Sequence, residues 1–252
     1  MPGIKAITFD LWDTVFIDDS DEAKRKSMGL APKPVARREL VTSFLSRHGR
    51  VSRELVDAAY DTTDAAFNKV WHGLSVTWTV EERLRVLLTG LGRSLPRDEL
   101  AELVRLHEEM ELEVSPDAAP GIHQALKALH GKYRLGVISD AIFSPGRVLR
   151  GLLEKEGLAD LFDVFVFSDE IGGAKPDASV FRAAANGLGV EPSEIVHVGD
   201  REPNDIAGAR AAGARAILTT VVKDRGSAQT EADAICDDYS NLVDSISLLE
   251  ND

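Results

Sequence analysis

Four short apolar runs of the chain end in residues that can do chemistry. They are followed by Asp10, by Ser139-Asp140, by Ser168-Asp169-Glu170 and by Gly199-Asp200. A carboxylate at the end of a buried strand, such as Asp10, is held rigidly and partly desolvated, so it can act as a nucleophile toward phosphorus or carbon. Its alternative role is to cap a turn. Since open parallel sheets bind ligands at the carboxyl ends of their strands, these residues predict one shared ligand site.

The elements that must position these residues alternate along the chain. Short β-branched apolar runs predict buried strands, and amphipathic patterns between them predict helices. The predicted strands are residues 4–9, 133–138, 164–167, 195–198 and 216–222, and the predicted helices are residues 121–130, 146–156, 178–188 and 205–212. This alternation predicts an α/β fold with a Rossmann-like, doubly wound parallel sheet.

The stretch between the first two strands is different in kind. It shows helical periodicity without strand patterns, as in Leu40-Val41-Phe44-Leu45 and Leu84-Leu87-Leu88-Leu91. We therefore predict a core domain of residues 1–18 and 119–252 and an inserted all-α cap domain of residues 19–118. Insertions of this kind often form lids that close over an active site.

The motifs at the strand ends resemble those of the haloacid dehalogenase-like hydrolase superfamily, in its phosphatase-type members with an inserted helical cap. The first motif is matched by Phe9-Asp10-Leu11-Trp12-Asp13-Thr14-Val15, the second by Ser139, the third by Lys175 and the fourth by Gly199-Asp200-Arg201-Glu202-Pro203-Asn204-Asp205-Ile206. Each motif alone is weak, but four motifs in the expected order at strand ends are specific.

The resemblance implies a Mg²⁺-dependent phosphatase that forms an aspartyl-phosphate intermediate. Asp10 would be the nucleophile, and Ser139 and Lys175 would complete the catalytic set by holding and neutralising the phosphate. The residues expected around the phosphate are Thr14, Ser139, Asp140 and Lys175. Those expected at the metal are Asp10, the Trp12 carbonyl, Asp200 and Asp205, with Asp205 orienting a water molecule or Lys175.

Trp12 departs from the phosphatase pattern. The family's phosphatases carry a second aspartate two residues after the nucleophile, where it acts as general acid and base. An indole offers only an N–H donor and cannot shuttle protons, and losing a general acid costs roughly 10²- to 10⁴-fold in rate. The candidate substitutes are Asp13, Asp18, Asp19, His48 and His72.

Trp12 also keeps other functions open. Haloacid dehalogenases and phosphonate C–P hydrolases of the superfamily lack the second aspartate, and a catalytically feeble, phosphate-binding regulatory module would not need it. The dehalogenases work without metal, so Asp200 and Asp205 argue against that chemistry. The phosphonate enzymes use a cap lysine, for which Lys69 is the only candidate outside the cluster described next.

One segment of the predicted cap is strongly basic. Within residues 24–38 there is no acid, and the basic residues are Lys24, Arg25, Lys26, Lys33, Arg37 and Arg38. Such a cluster is either a solvated surface or a funnel for an anionic substrate. Trp71, His72 and Trp78 are candidates for lining a substrate pocket or packing in the cap core.

Composition limits the partners. The chain has 252 residues, 29 basic and 42 acidic, for a net charge of −13, so binding to nucleic acid or to an anionic membrane is not expected. The single cysteine, Cys236, excludes an internal disulfide and a multi-cysteine zinc site. No signal-peptide or membrane-spanning pattern is present. We expect a cytoplasmic protein, monomer or homodimer, that acts on a small, anionic, phosphorylated substrate.

Overall fold

One fully parallel six-stranded sheet forms the centre of the protein, whose computed structural model describes residues 3–250. The strand order is β3-β2-β1-β4-β5-β6. The strands are β1 (Ala6–Phe9), β2 (Arg134–Ser139), β3 (Val164–Phe167), β4 (Ile195–Gly199), β5 (Arg215–Thr219) and β6 (Ala234–Cys236).

Helices precede or follow each strand. Between β1 and β2 lie α1 (Ser20–Ser27), α2 (Lys33–Ser46), α3 (Arg53–Leu74), α4 (Val80–Gly90), α5 (Arg97–Glu108), α6 (Met110–Glu113) and α7 (Ile122–Leu129). The later helices are α8 (Gly146–Lys155), α9 (Ser168–Ile171), α10 (Ala178–Leu188), α11 (Ala207–Ala211) and α12 (Leu242–Glu250). This architecture confirms the predicted α/β class with an inserted helical segment.

The strand order reverses between β1 and β4, which places a crevice at their carboxyl ends. Phe9 of β1 lies in register with Val198 of β4, and the Asp10 N–H donates to the Val198 carbonyl at 2.9 Å. The residues that follow the two strands, Asp10 and Asp200, are therefore neighbours. The crevice is where a doubly wound sheet binds its ligand.

Apolar clusters cover both faces of the sheet, which explains the near-continuous apolar strands. One cluster joins β1 and β2 to α7, α8 and α12, with Phe9 and Leu149 fully buried. The other joins β4 and β5 to α10 and α11 through Phe181 and Ile206.

Helices α2–α5 bury side chains against one another in a third cluster, which includes Val41, Leu45, Leu87 and Leu103. A separate apolar core suits an inserted cap, while the boundaries at residues 18 and 119 stay a prediction. Within residues 3–250, no helix combines the length and apolar character needed to cross a membrane.

The structure corrects several predicted elements. The predicted strand 216–222 ends at Thr219, because Val221 and Val222 pack against the core from a loop. Strand β6 was not predicted, since three residues are too short to give a strand pattern. The predicted helix 205–212 begins instead with a wide turn over Glu202–Ile206, and α11 covers only Ala207–Ala211. The remaining predicted strands and helices agree with the structure to within two residues at each end.

Candidate active site

A buried ion cluster lies at the crevice between β1 and β4. The Lys175 Nζ is 2.5 Å from the Asp10 Oδ1 and 2.6 Å from the Asp205 Oδ1. All three side chains are almost fully buried. One ammonium therefore faces two carboxylates out of water, an arrangement that strengthens electrostatic contacts and penalises the loss of any partner.

A hydrogen-bonded chain behind the cluster holds Asp205. The His197 Nε2 lies 3.2 Å from the Asp205 Oδ1, and the Thr8 Oγ1 lies 2.9 Å from the His197 Nδ1. Because a carboxylate only accepts, the histidine Nε2 carries the hydrogen of that bond. The Arg201 N–H donates to the Asp205 Oδ2 at 2.9 Å. Both oxygens of Asp205 are thus engaged with protein donors.

Asp200 completes a set of three buried carboxylates. Oxygen atoms of Asp10, Asp200 and Asp205 all lie within 4.8 Å of one another. The Arg225 Nε donates to the Asp200 Oδ2 at 2.5 Å, whereas the buried Asp200 Oδ1 has no hydrogen-bond partner among the described residues. An unpartnered carboxylate oxygen beside two further carboxylates suits a hard cation such as Mg²⁺, which prefers oxygen ligands.

The pKa values of these groups reflect burial and mutual charge. Burial raises the pKa of Asp10, and burial together with the charges of Asp10 and Asp205 raises that of Asp200. Although burial opposes it, the neighbouring Lys175 and His197 hold the pKa of Asp205 below its usual range. Burial and mutual repulsion both disfavour the charged carboxylates, and a divalent cation would offset both effects.

The predicted phosphate-binding residues differ in their surroundings. The hydroxyl oxygens of Ser139 and Thr14 are buried and have no hydrogen-bond partner within the described residues. The carboxylate of Asp140 accepts from the Lys175 backbone N–H at 3.0 Å and from the Trp71 Nε1 at 3.3 Å. Asp140 therefore fixes the Lys175 backbone and contacts the cap, whereas Ser139 and Thr14 are almost fully buried and do not line the cleft that contains Asp10.

Trp12 lines the cleft above the cluster, as expected for the position two residues after Asp10. Of the candidate proton donors, Asp13 binds Arg225 at 2.5 Å, and His48 pairs with Glu99 outside the cleft. Asp18 and Asp19 line the same cleft as Asp10, and His72 lines an adjoining cavity. Desolvation, together with the charges of Asp19 and Asp13, raises the pKa of Asp18 to about 6.

The cleft has a volume of about 400 Å³ and lies between the core and the inserted helices. Its core side includes Asp10, Lys175 and Asp205, and its cap side includes Lys33, Arg37 and Trp71. The Arg83 guanidinium donates to the Ile142 carbonyl at 2.9 Å, which is one of several polar contacts between cap and core. The volume suits a small metabolite.

The basic residues of segment 24–38 do not all face the cleft. Only Lys33 and Arg37 line the cleft. Arg38 pairs with Asp61 at 2.7 Å, and Lys24 pairs with Asp117 at 2.6 Å. Lys69 is exposed and does not line this cleft, so nothing in its position favours Schiff-base chemistry.

Two residues at the site were missed by sequence reasoning. His197 is a polar residue inside the apolar strand Ile195–Gly199, and this exception in the sequence could have identified it. In the structure it lies in register with Thr8. Arg225 is 212 positions from Asp13, in a loop without a strand-end or motif signal. The packing of the chain alone brings Arg225 to the carboxylates.

Solved structures similar to this one include a dehalogenase and a phosphatase. The 2-haloacid dehalogenase from Pseudomonas syringae is 27% identical, with a TM-score of 0.69, and the match covers 98% of this chain and 99% of that chain. A phosphatase of the same superfamily from Thermococcus onnurineus shares the fold with a TM-score of 0.63 and 23% identity, over 96% of this chain and 97% of that one.

Similar proteins of known activity include phosphatases. A phosphoglycolate phosphatase from Rhodospirillum rubrum is 35% identical over 162 residues, which are 62% of this chain and 66% of that protein. A glyceraldehyde 3-phosphate phosphatase from Methanothermobacter thermautotrophicus is 31% identical over 222 residues, 85% of each chain. Residues 4–213 match the model of the haloacid dehalogenase-like hydrolase family. With the four motifs gathered at one crevice, the chain belongs to the haloacid dehalogenase-like hydrolases, and it is a hydrolase.

Proposed function

We propose that this hydrolase is a Mg²⁺-dependent phosphatase of a small phosphorylated metabolite. This proposal rests on the set of three buried carboxylates, Asp10, Asp200 and Asp205, in which the Asp200 Oδ1 has no hydrogen-bond partner among residues 3–250. Asp10, Asp200 and the Trp12 carbonyl would hold the ion, with Asp205 behind them. When bound, Mg²⁺ supplies charge neutralisation for the phosphoryl group.

Asp10 is the proposed nucleophile. Its Oδ1 accepts from the Lys175 Nζ at 2.5 Å, which orients the carboxylate and leaves Oδ2 to attack phosphorus. A bond forms between the Asp10 oxygen and phosphorus while the bond from phosphorus to the leaving oxygen breaks. Water then attacks phosphorus, the Asp10–phosphorus bond breaks, and phosphate leaves with the Asp10 carboxylate restored.

Ser139 and Lys175 are proposed to hold the transferring phosphoryl group, with Thr14 contributing from the segment that follows Asp10. The Ser139 Oγ is buried without a partner, which suits a donor waiting for a phosphate oxygen. Asp205 and Asp140 act as positioning residues, because Asp205 binds the Lys175 side chain and Asp140 binds its backbone N–H. These contacts keep the Lys175 side chain charged and hold its ammonium group beside Asp10.

Asp18 is the proposed substitute for the general acid that Trp12 replaces. It lines the same cleft as Asp10, and its pKa of about 6 is close to neutral pH, which suits a group that both donates and accepts protons. In the first step Asp18 would give its proton to the leaving alkoxide. In the second step it would take a proton from the attacking water.

Dehalogenation is the second candidate, favoured by Trp12 and by the similarity to the Pseudomonas syringae enzyme. The buried acids Asp200 and Asp205 oppose it, since halide displacement by Asp10 does not require a cation. The phosphatase relatives act, by their names, on phosphoglycolate and glyceraldehyde 3-phosphate. We propose substrates of that size for this chain, because the cleft of about 400 Å³ accommodates them.

The test compares phosphate release from p-nitrophenyl phosphate and 2-phosphoglycolate with halide release from 2-chloropropionate. Each assay is run with Mg²⁺, with chelator and with the Asp10→Asn variant. We expect phosphate release that needs both Mg²⁺ and Asp10, and no halide release. Metal-independent halide release would identify a dehalogenase. Tight Mg²⁺ or phosphate binding without turnover of any substrate would identify a non-catalytic phosphate-binding module.

A further inference from the structure

Arg37 is a buried guanidinium without a counter-ion. Its side chain is 5% exposed, it lines the cleft that also contains Asp10 and Lys175, and its Nε has no hydrogen-bond acceptor. Within residues 3–250, no carboxylate forms an ion pair with it, and none of its nitrogen atoms has a protein acceptor. Buried charges in proteins are normally paired, so an unpaired one at a cleft points to a missing ligand.

The other basic residue of the cap that lines the cleft, Lys33, has carboxylate partners within the protein. The Lys33 Nζ binds the Asp21 Oδ1 at 2.7 Å and the Glu111 Oε1 at 3.0 Å. The other oxygen of Glu111 accepts from the Ser144 hydroxyl. Glu111 therefore has both oxygens occupied, and Lys33 has its charge balanced within the protein. Arg37 lines the cap side of the same cleft, and within residues 3–250 it has neither an ion pair nor a hydrogen-bond acceptor of its own.

Phe143 fixes the position of this guanidinium relative to the core. The Arg37 Cζ lies 3.8 Å from the centre of the Phe143 ring, and the Arg83 Cζ lies 4.0 Å from the same centre. Arg83 differs from Arg37, because it also binds Asp64 at 2.6 Å and the Ile142 carbonyl. Phe143 belongs to the loop that follows Ser139, so the stacking connects Arg37 to the segment next to a proposed phosphate-binding residue.

We propose that Arg37 binds a second anionic oxygen group of the substrate, a carboxylate or a second phosphate, at the cap side of the cleft. This inference rests on the proposed phosphatase function, in which Lys175 and Ser139 hold the phosphate that is transferred. A planar guanidinium with unused N–H donors fits either anion by two parallel hydrogen bonds. Substrates with a neutral group in place of the second anion would bind poorly.

The protonation behaviour of Arg37 agrees with this role. Burial lowers the pKa of Arg37, and the charges of Arg83 and Arg25 act in the same direction, although Glu111 opposes them. The cation is therefore unfavourable in the ligand-free cleft, and a bound anion would relieve it.

The test measures discrimination between substrates that differ only in the second group. For each variant, kcat/KM is measured for 2-phosphoglycolate, for ethylene glycol bisphosphate and for 2-hydroxyethyl phosphate. Loss of a charge-assisted bidentate contact corresponds to roughly 30- to 100-fold in affinity. We expect the wild type to prefer at least one of the two substrates with a second anionic group by about this factor, and the preferred one identifies that group.

The variants are Arg37→Met and Arg37→Lys, with Arg38→Met as the matched control. Arg38 lies on the same helix, does not line the cleft and pairs with Asp61. The preference should nearly vanish in Arg37→Met, fall partly in Arg37→Lys and persist in Arg38→Met. A wild type without preference, or a preference that survives Arg37→Met, would overturn the proposal. If Arg37→Met does not fold, the proposal is tested with Arg37→Lys, by the same ratio of kcat/KM values between substrates with and without the second anionic group.

A binding measurement separates this inference from the proposed function. Calorimetry with 2-phosphoglycolate and with the bisphosphate, on the Asp10→Asn protein with and without Arg37→Lys, needs no turnover. If the wild type hydrolyses no phosphate ester but these ligands bind in an Arg37-dependent way, the phosphatase function fails and the anion subsite stands. Binding that does not depend on Arg37 overturns the subsite, whatever the activity.

Discussion

Replacement of Lys175 by methionine should destabilise the protein in a way that depends on pH. The ammonium is 2.5 Å from Asp10 and 2.6 Å from Asp205, and all three groups are buried, so the variant leaves two carboxylates without their cation. Removing one partner of a buried pair typically costs about 3–5 kcal/mol in free energy of unfolding. The pair of Lys5 and Glu194, also 2.6 Å long, has a lysine side chain that is 63% exposed, so solvent screens it and it should contribute far less.

Protonation limits this cost at low pH. A carboxylate with a pKa of about 3.9 in the unfolded chain can be neutralised for about 1.5 kcal/mol at pH 5, but for about 5.6 kcal/mol at pH 8. In the variant, Asp205 keeps its bonds from His197 and the Arg201 N–H, but Asp10 loses the charge of Lys175 that opposes the effect of burial, so the pKa of Asp10 rises further. The variant therefore loses more stability than the wild type as pH increases from 5 to 8. In the wild type, Lys175 has a raised pKa and Asp205 a lowered one, so their mutual stabilisation is complete over that range.

The assay is thermal unfolding of the wild type, Lys175→Met and Lys5→Met at pH 5 and pH 8. For a chain of this length, the expected decrease in Tm for Lys175→Met is roughly 6–20 °C at pH 8 and about 3–6 °C at pH 5. Lys5→Met should change Tm by less than about 4 °C at both pH values. Equal decreases at both pH values, or a decrease no larger than that of Lys5→Met, would refute the reasoning.

Three further predictions concern the metal, the crevice and the proposed acid. Mg²⁺ at ten times its Kd should stabilise the wild type by about 1.4 kcal/mol, and Asp200→Asn should abolish most of this Tm increase. Gly199→Ala should lower kcat/KM by at least about 100-fold, because the added methyl group overlaps the Asp205 carboxylate and displaces it, and steady-state kinetics would measure this. Since Asp18 is protonated below its pKa of about 6, kcat for an alkyl phosphate should fall as pH rises through that value, and Asp18→Asn should remove this limb of the pH profile.

The fold was predictable because its signals are local. Each strand of the sheet except β6 is a short apolar run that ends at or next to a polar residue. Where helical patterns separate such runs, few secondary structures other than buried strands fit them. The same rule placed Asp10 and Asp200 at one crevice, since both follow strands that are neighbours at the point where the strand order reverses.

The cap side of the cleft could not be predicted in the same way. Arg37 and Arg38 are adjacent and chemically identical in the sequence, yet one is buried without a partner and the other pairs with Asp61. Which of them faces the cleft depends on how α2 rotates against α3 and α5, a property of tertiary packing. Arg225 reaches Asp200 from a loop for the same reason.

The central claim, that Asp10 accepts the phosphoryl group, is tested most directly by trapping the intermediate. The wild type is mixed with a phosphorylated substrate and Mg²⁺, quenched in acid during turnover, digested and mapped by mass spectrometry. We expect a phosphoryl group on the peptide that contains Asp10, labile to hydroxylamine and absent when chelator replaces Mg²⁺. Turnover with the phosphoryl group on another residue, or with no trapped phosphoryl group at any quench time, would contradict the account.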